Sequence, residues 1–238
     1  MIEKILDKSK LISLEEESHT YTLLNSNIHF QSVTEFIHTF FKPFEEKKVA
    51  AKLTEKHPKY IGMSIEELIK NWNERRDRGT LVHKQIENFI LEKKNLSLDS
   101  KTAQGINFLK KHCIKNSNIL LPEVIIYSEA LKIAGTIDLI IFNQEKNHIS
   151  IVDWKTNKKI NKSSFKGIEK GIKYPVENMD DCNFMHYTLQ LSVYQYILEN
   201  YYNVTVNGLI LVHLKENQFE YIQCDFKKEI VKQMIETI

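Results

Sequence analysis

The chain has 238 residues, 42% of them hydrophobic, and its 33 basic and 31 acidic side chains leave a formal net charge of +2. This length suits one large α/β domain, or one domain with a sizeable helical insertion, and the hydrophobic content is enough for a core. The near-neutral balance excludes a protein that attracts nucleic acid through its overall charge, so a basic site would have to come from local clustering. Apolar stretches are too short to cross a bilayer, and residues 1–11 lack the apolar core of a signal peptide. We therefore expect a soluble, intracellular protein with no membrane partner.

The cysteines give no sign of a metal cluster. Cys113, Cys182 and Cys224 are far apart, and no CxxC pair occurs. Zinc ribbons and iron–sulfur clusters need closer spacing, so we expect neither of them. Buried free thiols are the expected state of these side chains.

The first half of the chain is predicted to be mostly helical, behind a short β-hairpin. Residues 20–24 and 28–31 are strand-like and flank a turn made of Asn and Ser. Capping boxes of the form Ser-x-x-Glu at Ser32 and Ser64 predict two helix starts, and Gly79 precedes another. Helices are expected over 32–41, 45–55, 64–76, 80–93 and 102–115.

The second half is predicted to form a sheet. Segments rich in Ile and Val follow one another, with one long helical segment among them. The order β-β-β-α-β-β, preceded by helices, predicts a central mixed β-sheet flanked by helices. We expect one domain over 1–238, with 1–115 as the hairpin and helical part and 116–238 as the sheet core. The expected strands are 123–129, 133–142, 148–155, 208–215 and 219–225, and the expected helices are 181–200 and 226–238.

Two of the predicted strands carry ionisable residues at or near their ends. Asp138 lies within the first, and Asp153-Trp154-Lys155 ends the second. Side chains alternate along a strand, so Asp153 and Lys155 share a face and Trp154 points to the other. If the strands form a hairpin, Asp138 lies beside them. Two carboxylates and a main-chain carbonyl such as that of Trp154 suit Mg²⁺, whereas the alternative is an Asp–Lys ion pair on a surface hairpin.

Two helical pairs add candidate site residues. His83 and Glu87 are four apart on one helix face, as are Gln190 and Tyr194. His83 offers an imidazole ligand, and its alternative is a surface His–Glu pair. Gln190 and Tyr194 offer hydrogen bonds to DNA or to the acids, and their alternative is an ordinary core helix.

The segment 155–173 carries seven lysines against one acid, Glu169. Such a segment can follow a phosphate backbone, although a solvated loop is equally consistent with it. Four nearby rings could stack on bases or belong to the core: Tyr174, Phe184, His186 and Tyr187.

Taken in order, these residues resemble the PD-(D/E)XK nuclease superfamily in its RecB-like exonuclease branch. The matching motifs lie within about residues 79–200: Gly79 with His83, Glu123, Gly135-x-x-Asp138, Asp153-Trp154-Lys155-Thr156 and Gln190-x-x-x-Tyr194. The front of the chain is similar to phage-encoded nucleases and to the mitochondrial genome maintenance exonuclease, through His19-Thr20-Tyr21, Ser32-Val33-Thr34 and Phe41-Lys42-Pro43-Phe44.

The resemblance implies a restriction-endonuclease-like mixed sheet of four or five strands and Mg²⁺- or Mn²⁺-dependent hydrolysis of DNA. It implies metal ligation by His83, Asp138, Asp153 and Trp154, and catalysis by Asp138, Asp153 and Lys155, with Glu123 orienting the metal-bound water or its ligands. DNA contacts are expected from Gln190, Tyr194, Lys158, Lys159, Lys162 and Arg78.

The chain departs from the family pattern in two ways. Thr136-Ile137 stands in place of the literal Pro before Asp138, and the cysteines of the iron–sulfur members are missing, so no iron–sulfur cluster is expected. No GxxxxGK[ST] motif occurs either, so ATP-driven unwinding would need a helicase or recombination partner.

These features predict a metal-dependent exonuclease acting on free, single-stranded DNA ends in replication, recombination or repair. The expected location is the cytoplasm of a bacterial or phage-infected cell. A structure-specific or restriction-like endonuclease, a non-catalytic DNA-binding subunit, an RNA-directed enzyme and a structural protein with incidental acids remain as alternatives.

Overall fold

Secondary structure covers most of the chain in this computed structural model, which describes residues 2–15, 18, 20–95 and 97–238. His19 of the front motif lies outside these residues. The helices are α1 (Ile2–Ser9), α2 (Val33–His38), α3 (Glu46–Lys56), α4 (Ile65–Ile90), α5 (Ser100–Phe108), α6 (Asn183–Ile197) and α7 (Lys228–Ile235). The strands are β1 (Ile12–Glu15), β2 (Thr20–Leu23), β3 (His29–Ser32), β4 (Asn118–Ser128), β5 (Ile133–Asn143), β6 (His148–Lys155), β7 (Val206–Leu214) and β8 (Phe219–Cys224).

A single mixed sheet runs through the molecule, which confirms the predicted fold class. Its order is β1-β2-β3-β5-β6-β7-β8, and β4 pairs with β5. The β5–β6 pair is antiparallel, which meets the condition under which Asp138 was expected beside Asp153 and Lys155, and β6–β7 is parallel. The sheet has eight strands where four or five were expected, because the front hairpin and the unpredicted β1 join it through β3.

One edge of β5 changes partner along its length. β3 pairs with it in parallel at Ile133 and Ala134, and β6 pairs with it from Leu139 onwards. Residues 135–138 lie between these two partners, so their groups on this edge are available to side chains. The gap in the ladder therefore coincides with the Gly135-to-Asp138 motif.

Helices cover both faces of the sheet. On one face α2 and α6 pack onto Ile149 and Ile151, and on the other α4 and α5 pack onto Val152 and Trp154. This alternation along β6 confirms that Trp154 points away from the face that carries Asp153. Within the described part of the chain, no helix is both long and apolar enough to span a membrane. The three cysteines are buried and free, as expected.

The two helices predicted on either side of Gly79 are in fact one, so that prediction is wrong. Helix α4 runs unbroken from Ile65 to Ile90, starting at the predicted Ser64 cap. Glycine inside a helix costs about 1 kcal/mol relative to alanine. Here it allows close approach, because a Cβ at Gly79 would lie 3.0 Å from Oγ1 of Thr156 at the end of β6. Helix–sheet packing thus outweighs local propensity.

The other predicted elements are present with shifted ends. The helix expected over 102–115 ends its α-helical part at Phe108 and continues as a π-turn, and α6 is extended by a π-turn in the same way. Strand β4 begins at Asn118, earlier than expected. Helix α1 was not predicted because its short stretch alternates charged and apolar residues without a capping signal.

Candidate active site

Side chains alternate between the two faces of the sheet along β4 and β5, but this alternation is interrupted where Glu123 and Asp138 face each other. Pro122 pairs with Leu139 and Val124 with Ile137, so Glu123 lies opposite Asp138. Glu123 has a φ of 50°, in the left-handed region that non-glycine residues rarely adopt.

The packing shows the effect of this local irregularity. Ile137 and Ile140 are three residues apart on β5 but pack into the same hydrophobic cluster, on the face covered by α2 and α6. Leu121 and Val124, three apart on β4, pack into that cluster too. Strict alternation would put residues three apart on opposite faces. The irregularity therefore changes the direction of the Glu123 and Asp138 side chains at the point where β5 changes partner. Strained backbone of this kind often accompanies a functional site.

Asp138 lies at the centre of the resulting cluster. Its Oδ2 accepts a hydrogen bond of 2.8 Å from the backbone N–H of Trp154 and lies 3.4 Å from Nδ1 of His83 on α4. His83, Glu123 and Asp138 each offer one ligand atom, and these atoms all lie within 4.8 Å of one another. Glu87 instead accepts from Lys84, so the alternative of a surface His83–Glu87 pair is not what the structure contains.

Asp153 and Lys155 form the second half of the cluster. Nζ of Lys155 lies 2.7 Å from Oδ2 of Asp153, and the two side chains are only 14% and 5% exposed. The ammonium also sits 4.1 Å from the ring centre of Tyr187 on α6. Although the ion pair is close, Oδ2 of Asp153 is buried without a well-aligned hydrogen bond. The alternative of a solvent-exposed ion pair therefore does not describe these two groups.

The cluster concentrates negative charge where little water reaches it, and two of its carboxyl groups have raised pKa values as a result. Burial raises the pKa of Glu123, and the charge of Asp138 raises it further. Burial likewise raises the pKa of Asp153, with Lys155 opposing and Asp138 adding to the shift. Such shifts mark a site where ionised carboxylates lack sufficient positive charge.

The His83–Asp138 pair shifts in the opposite sense. Burial alone would lower the pKa of His83, but the charge and hydrogen bond of Asp138 outweigh it and raise that pKa to about 9. Burial would raise the pKa of Asp138, but His83 and Lys155 outweigh it and lower that pKa. A proton on His83 thus supplies positive charge between the carboxylates.

These residues fit a divalent cation. Carboxylate oxygens suit hard cations and a neutral imidazole is a common additional ligand. Oδ2 of Asp153, buried 2.7 Å from the Lys155 ammonium, adds a further anionic oxygen beside this group. The ligand set implied by the sequence shares His83 and Asp138 with the close group in the structure. Glu123 is the third member of that group, whereas Asp153 is engaged by Lys155.

Gln190 and Tyr194 lie behind the acids. Nε2 of Gln190 donates to the Tyr194 hydroxyl at 3.0 Å, and that hydroxyl donates to the Thr136 carbonyl at 2.9 Å, in the gap on β5. The Tyr194 side chain is buried, at 3% exposure. The contacts favour support of the strand carrying Asp138 as the role of Tyr194.

Arg78 is committed to other parts of the chain. Its guanidinium bonds Asp99 at 2.7 Å and Glu216 at 2.8 Å, which tie α4 to the start of α5 and to the β7–β8 turn. Two carboxylates already match its charge. In the structure Arg78 thus links parts of the fold, and its contact with DNA stays a prediction.

Lys158, Lys159 and Lys162 are exposed in the connection that leaves Lys155 and leads to α6. Among the described residues none of these three makes an ion pair, and Lys162 places its ammonium 5.6 Å from the ring centre of Phe184. They are therefore available to an anionic partner.

Three residues make contacts at the site that were not predicted from the sequence. Lys101 donates to the carbonyl of Thr156 at 2.6 Å, Tyr21 hydrogen-bonds Oγ1 of Thr136 at 3.0 Å, and Tyr187 faces Lys155. Tyr187 was singled out only as a ring that could stack on bases. Tyr21 belongs to the front motif but had no role of its own there, and nothing in the local sequence marks Lys101, because each contact joins segments distant along the chain.

Comparison with known proteins identifies the class. A family model of the PD-(D/E)XK nuclease superfamily matches residues 100–238, a range that includes Glu123, Asp138, Asp153 and Lys155 but not His83. The chain belongs to this superfamily of metal-dependent nucleases. No curated protein matches it significantly.

Two solved structures are distantly similar. One, of a protein named SSO0001, is 15% identical with a TM-score of 0.38, over 99% of this chain and 84% of its own. The other, a protein from Eubacterium rectale provisionally named an exonuclease, is also 15% identical with a TM-score of 0.38, over 87% and 77%. Neither likeness is close enough to support a conclusion about activity.

Proposed function

We propose that this protein is a Mg²⁺- or Mn²⁺-dependent exonuclease that hydrolyses phosphodiester bonds from free, single-stranded DNA ends. The observation that carries the proposal is the convergence of His83, Glu123 and Asp138 beside a buried Lys155. Superfamily membership supports phosphodiester hydrolysis. The branch-level resemblance of the motifs and the uncompensated lysines after β6 support an exonuclease on single strands.

In this proposal the acids and His83 hold the cation. His83, Glu123 and Asp138 would be its side-chain ligands, and Asp153 with the Trp154 carbonyl would complete the set. The cation, when bound, polarises the scissile phosphate and lowers the pKa of the attacking water. Glu123 also orients that water.

Lys155 places a fixed positive charge beside the phosphate. Asp153 and the face of Tyr187 hold its ammonium in place, so little reorganisation is needed as negative charge develops. Gln190 and Tyr194 support β5, and Gln190 also faces the DNA. Lys158, Lys159 and Lys162 neutralise backbone phosphates, which makes binding sensitive to salt.

The biological setting is proposed from the resemblance alone. We place the enzyme in the cytoplasm of a bacterial or phage-infected cell, acting in DNA replication, recombination or repair. A separate helicase or recombination protein would expose the single-stranded end.

The test is a time course on linear single-stranded DNA labelled at the 5′ or the 3′ end, beside circular single-stranded DNA. We expect metal-dependent release of mononucleotides or short products from one end of the linear strand and an intact circle. Lys155→Ala is the inactive control, and Lys159→Ala is a matched exposed lysine that should reduce binding without stopping hydrolysis. Degradation of the circle would assign an endonuclease instead, and degradation of RNA alone would overturn the choice of substrate.

A further inference from the structure

A pocket of about 210 Å³ opens between α2 and α6, beside the candidate active site. Its walls include Thr34 and His38 from α2 and His186, Tyr187 and Gln190 from α6. Pockets for drug-sized ligands are about 300–1,000 Å³. The α2–α6 pocket therefore suits one small heterocycle.

Two of the walls are shared with the site. Tyr187 presents its ring to the Lys155 ammonium, and Gln190 donates to Tyr194, whose hydroxyl bonds β5 two residues before Asp138. A group in the pocket would thus be adjacent to a phosphate held at Lys155.

The rigid parts of the pocket are aromatic. His186 is fixed by a hydrogen bond of 2.9 Å to Asp181, and its ring lies 4.1 Å from that of Phe41 and 5.7 Å from that of His38. The His186 ring is held in place and the His38 ring lies beside it, so this wall of the cavity suits a flat ligand, because stacking on it needs little adjustment of the protein.

The polar groups of the pocket favour a neutral ligand. Neither Lys nor Arg is among the described residues that line it, and Asp181 adds negative charge behind His186. A phosphate would find no cation there. The amide of Gln190 uses its nitrogen on Tyr194, and within the described part of the chain its carbonyl oxygen makes no hydrogen bond, so it can accept one from a base.

We infer that the α2–α6 pocket binds the nucleobase of the nucleotide next to the scissile phosphate. The inference rests on the proposed nuclease function and adds to it a subsite for the base. Stacking on the histidine and tyrosine rings is tolerant of base identity, because every base has a flat face. The subsite would draw the strand away from a base-paired partner, since a paired base cannot enter a pocket.

The test uses linear oligonucleotides that carry one abasic nucleotide at successive positions from the attacked end. Wild-type protein should slow on the order of tenfold when the abasic nucleotide reaches the pocket, at one position relative to the cleaved bond. His38→Ala removes one wall of the pocket, and Thr34→Trp fills its space. Both variants should abolish this position dependence. Glu35→Ala, an exposed neighbour on the same helix that does not line the pocket, should retain it.

A binding measurement separates this inference from the proposed function. Lys155→Ala protein is mixed with 2-aminopurine oligonucleotides, and fluorescence quenching is expected with the probe at the same position. If intact DNA is cleaved, and oligonucleotides with an abasic nucleotide at any position are cleaved at equal rates, the subsite is overturned and the nuclease proposal stands. Position-specific quenching without hydrolysis by wild-type protein would support the subsite and overturn the nuclease proposal. Absence of both signals would overturn both.

Discussion

Tyr194 lies directly against Gly135, so that a Cβ added to Gly135 would come within 2.7 Å of Cε1 of the tyrosine ring. The same ring carries the hydroxyl that bonds the Thr136 carbonyl. The glycine thus gives Tyr194 room to reach the backbone of β5 where one edge of that strand, between β3 and β6, has no neighbouring strand. Two motifs that are 59 residues apart in the chain form one supporting contact for Asp138.

Gly135→Ala should therefore displace Tyr194 and destabilise the protein by about 1–3 kcal/mol, the usual effect of overpacking. Urea unfolding gives the free energy, and nuclease assays should show a larger loss than unfolding explains. Tyr194→Phe is the matched control, since it removes the hydroxyl alone and should cost about 1 kcal/mol. If the Gly135→Ala protein were as stable and active as the parent, the close contact between Gly135 and the Tyr194 ring would not be needed to support β5.

Replacement of Lys155 should stop hydrolysis without preventing cation binding. Lys155→Ala removes the ammonium that lies 2.7 Å from Asp153, and loss of one preorganised charge typically lowers kcat by about 10²–10³. Single-turnover assays at saturating Mg²⁺ measure the loss, and isothermal titration with Mn²⁺ checks that the cation still binds. Wild-type turnover by Lys155→Ala would remove Lys155 from the mechanism.

The metal-free protein should lose stability as pH rises. The folded-state pKa of His83 is raised, so the stability from its pair with ionised Asp138 is fully present below the unfolded pKa of histidine and is lost as pH rises through about 9. The pKa values of Glu123 and Asp153 are also raised, and their burial as anions opposes folding once pH exceeds their unfolded values. Asp138 titrates far below this window because its pKa is lowered. In EDTA, Tm should fall between pH 6 and pH 9.

Cation binding should reverse this trend. A ligating His83 must release its proton, so Mn²⁺ should bind more tightly as pH rises from 6 to 9 and should raise Tm most at high pH. Titrations in two buffers of different ionisation enthalpy count the protons released. His83→Asn should reduce that count and flatten the dependence, whereas Mn²⁺ affinity independent of pH in the wild type would exclude His83 as a ligand.

Arg78→Ala should lower the free energy of unfolding by about 1 kcal/mol, a value near the upper end for partly exposed pairs because the guanidinium joins two acids. Part of the effect should disappear at high salt. A double-mutant cycle with Glu216→Ala measures the coupling. If Arg78→Ala instead left stability unchanged and weakened DNA binding in filter assays, Arg78 would be a DNA contact after all.

The sequence by itself determined the strands that carry the acids and the faces on which their side chains lie. Asp153, Trp154 and Lys155 could be assigned to faces because alternation is a property of consecutive residues. The Ser32 and Ser64 helix starts were predictable for the same reason, since a cap involves only the next three residues. The ordered motifs also predicted the superfamily.

Tertiary structure alone decided how these pieces meet. The placement of Glu123 opposite Asp138, the partners of Arg78 and the contact of Tyr194 with Gly135 all join separate segments of the chain. The continuity of α4 through Gly79 likewise depends on its close approach to Thr156. Each depends on the packing of helices against the sheet, which outweighs local propensities of about 1 kcal/mol per residue. The acids were visible in the sequence, but their arrangement around one point was fixed only by the folded chain.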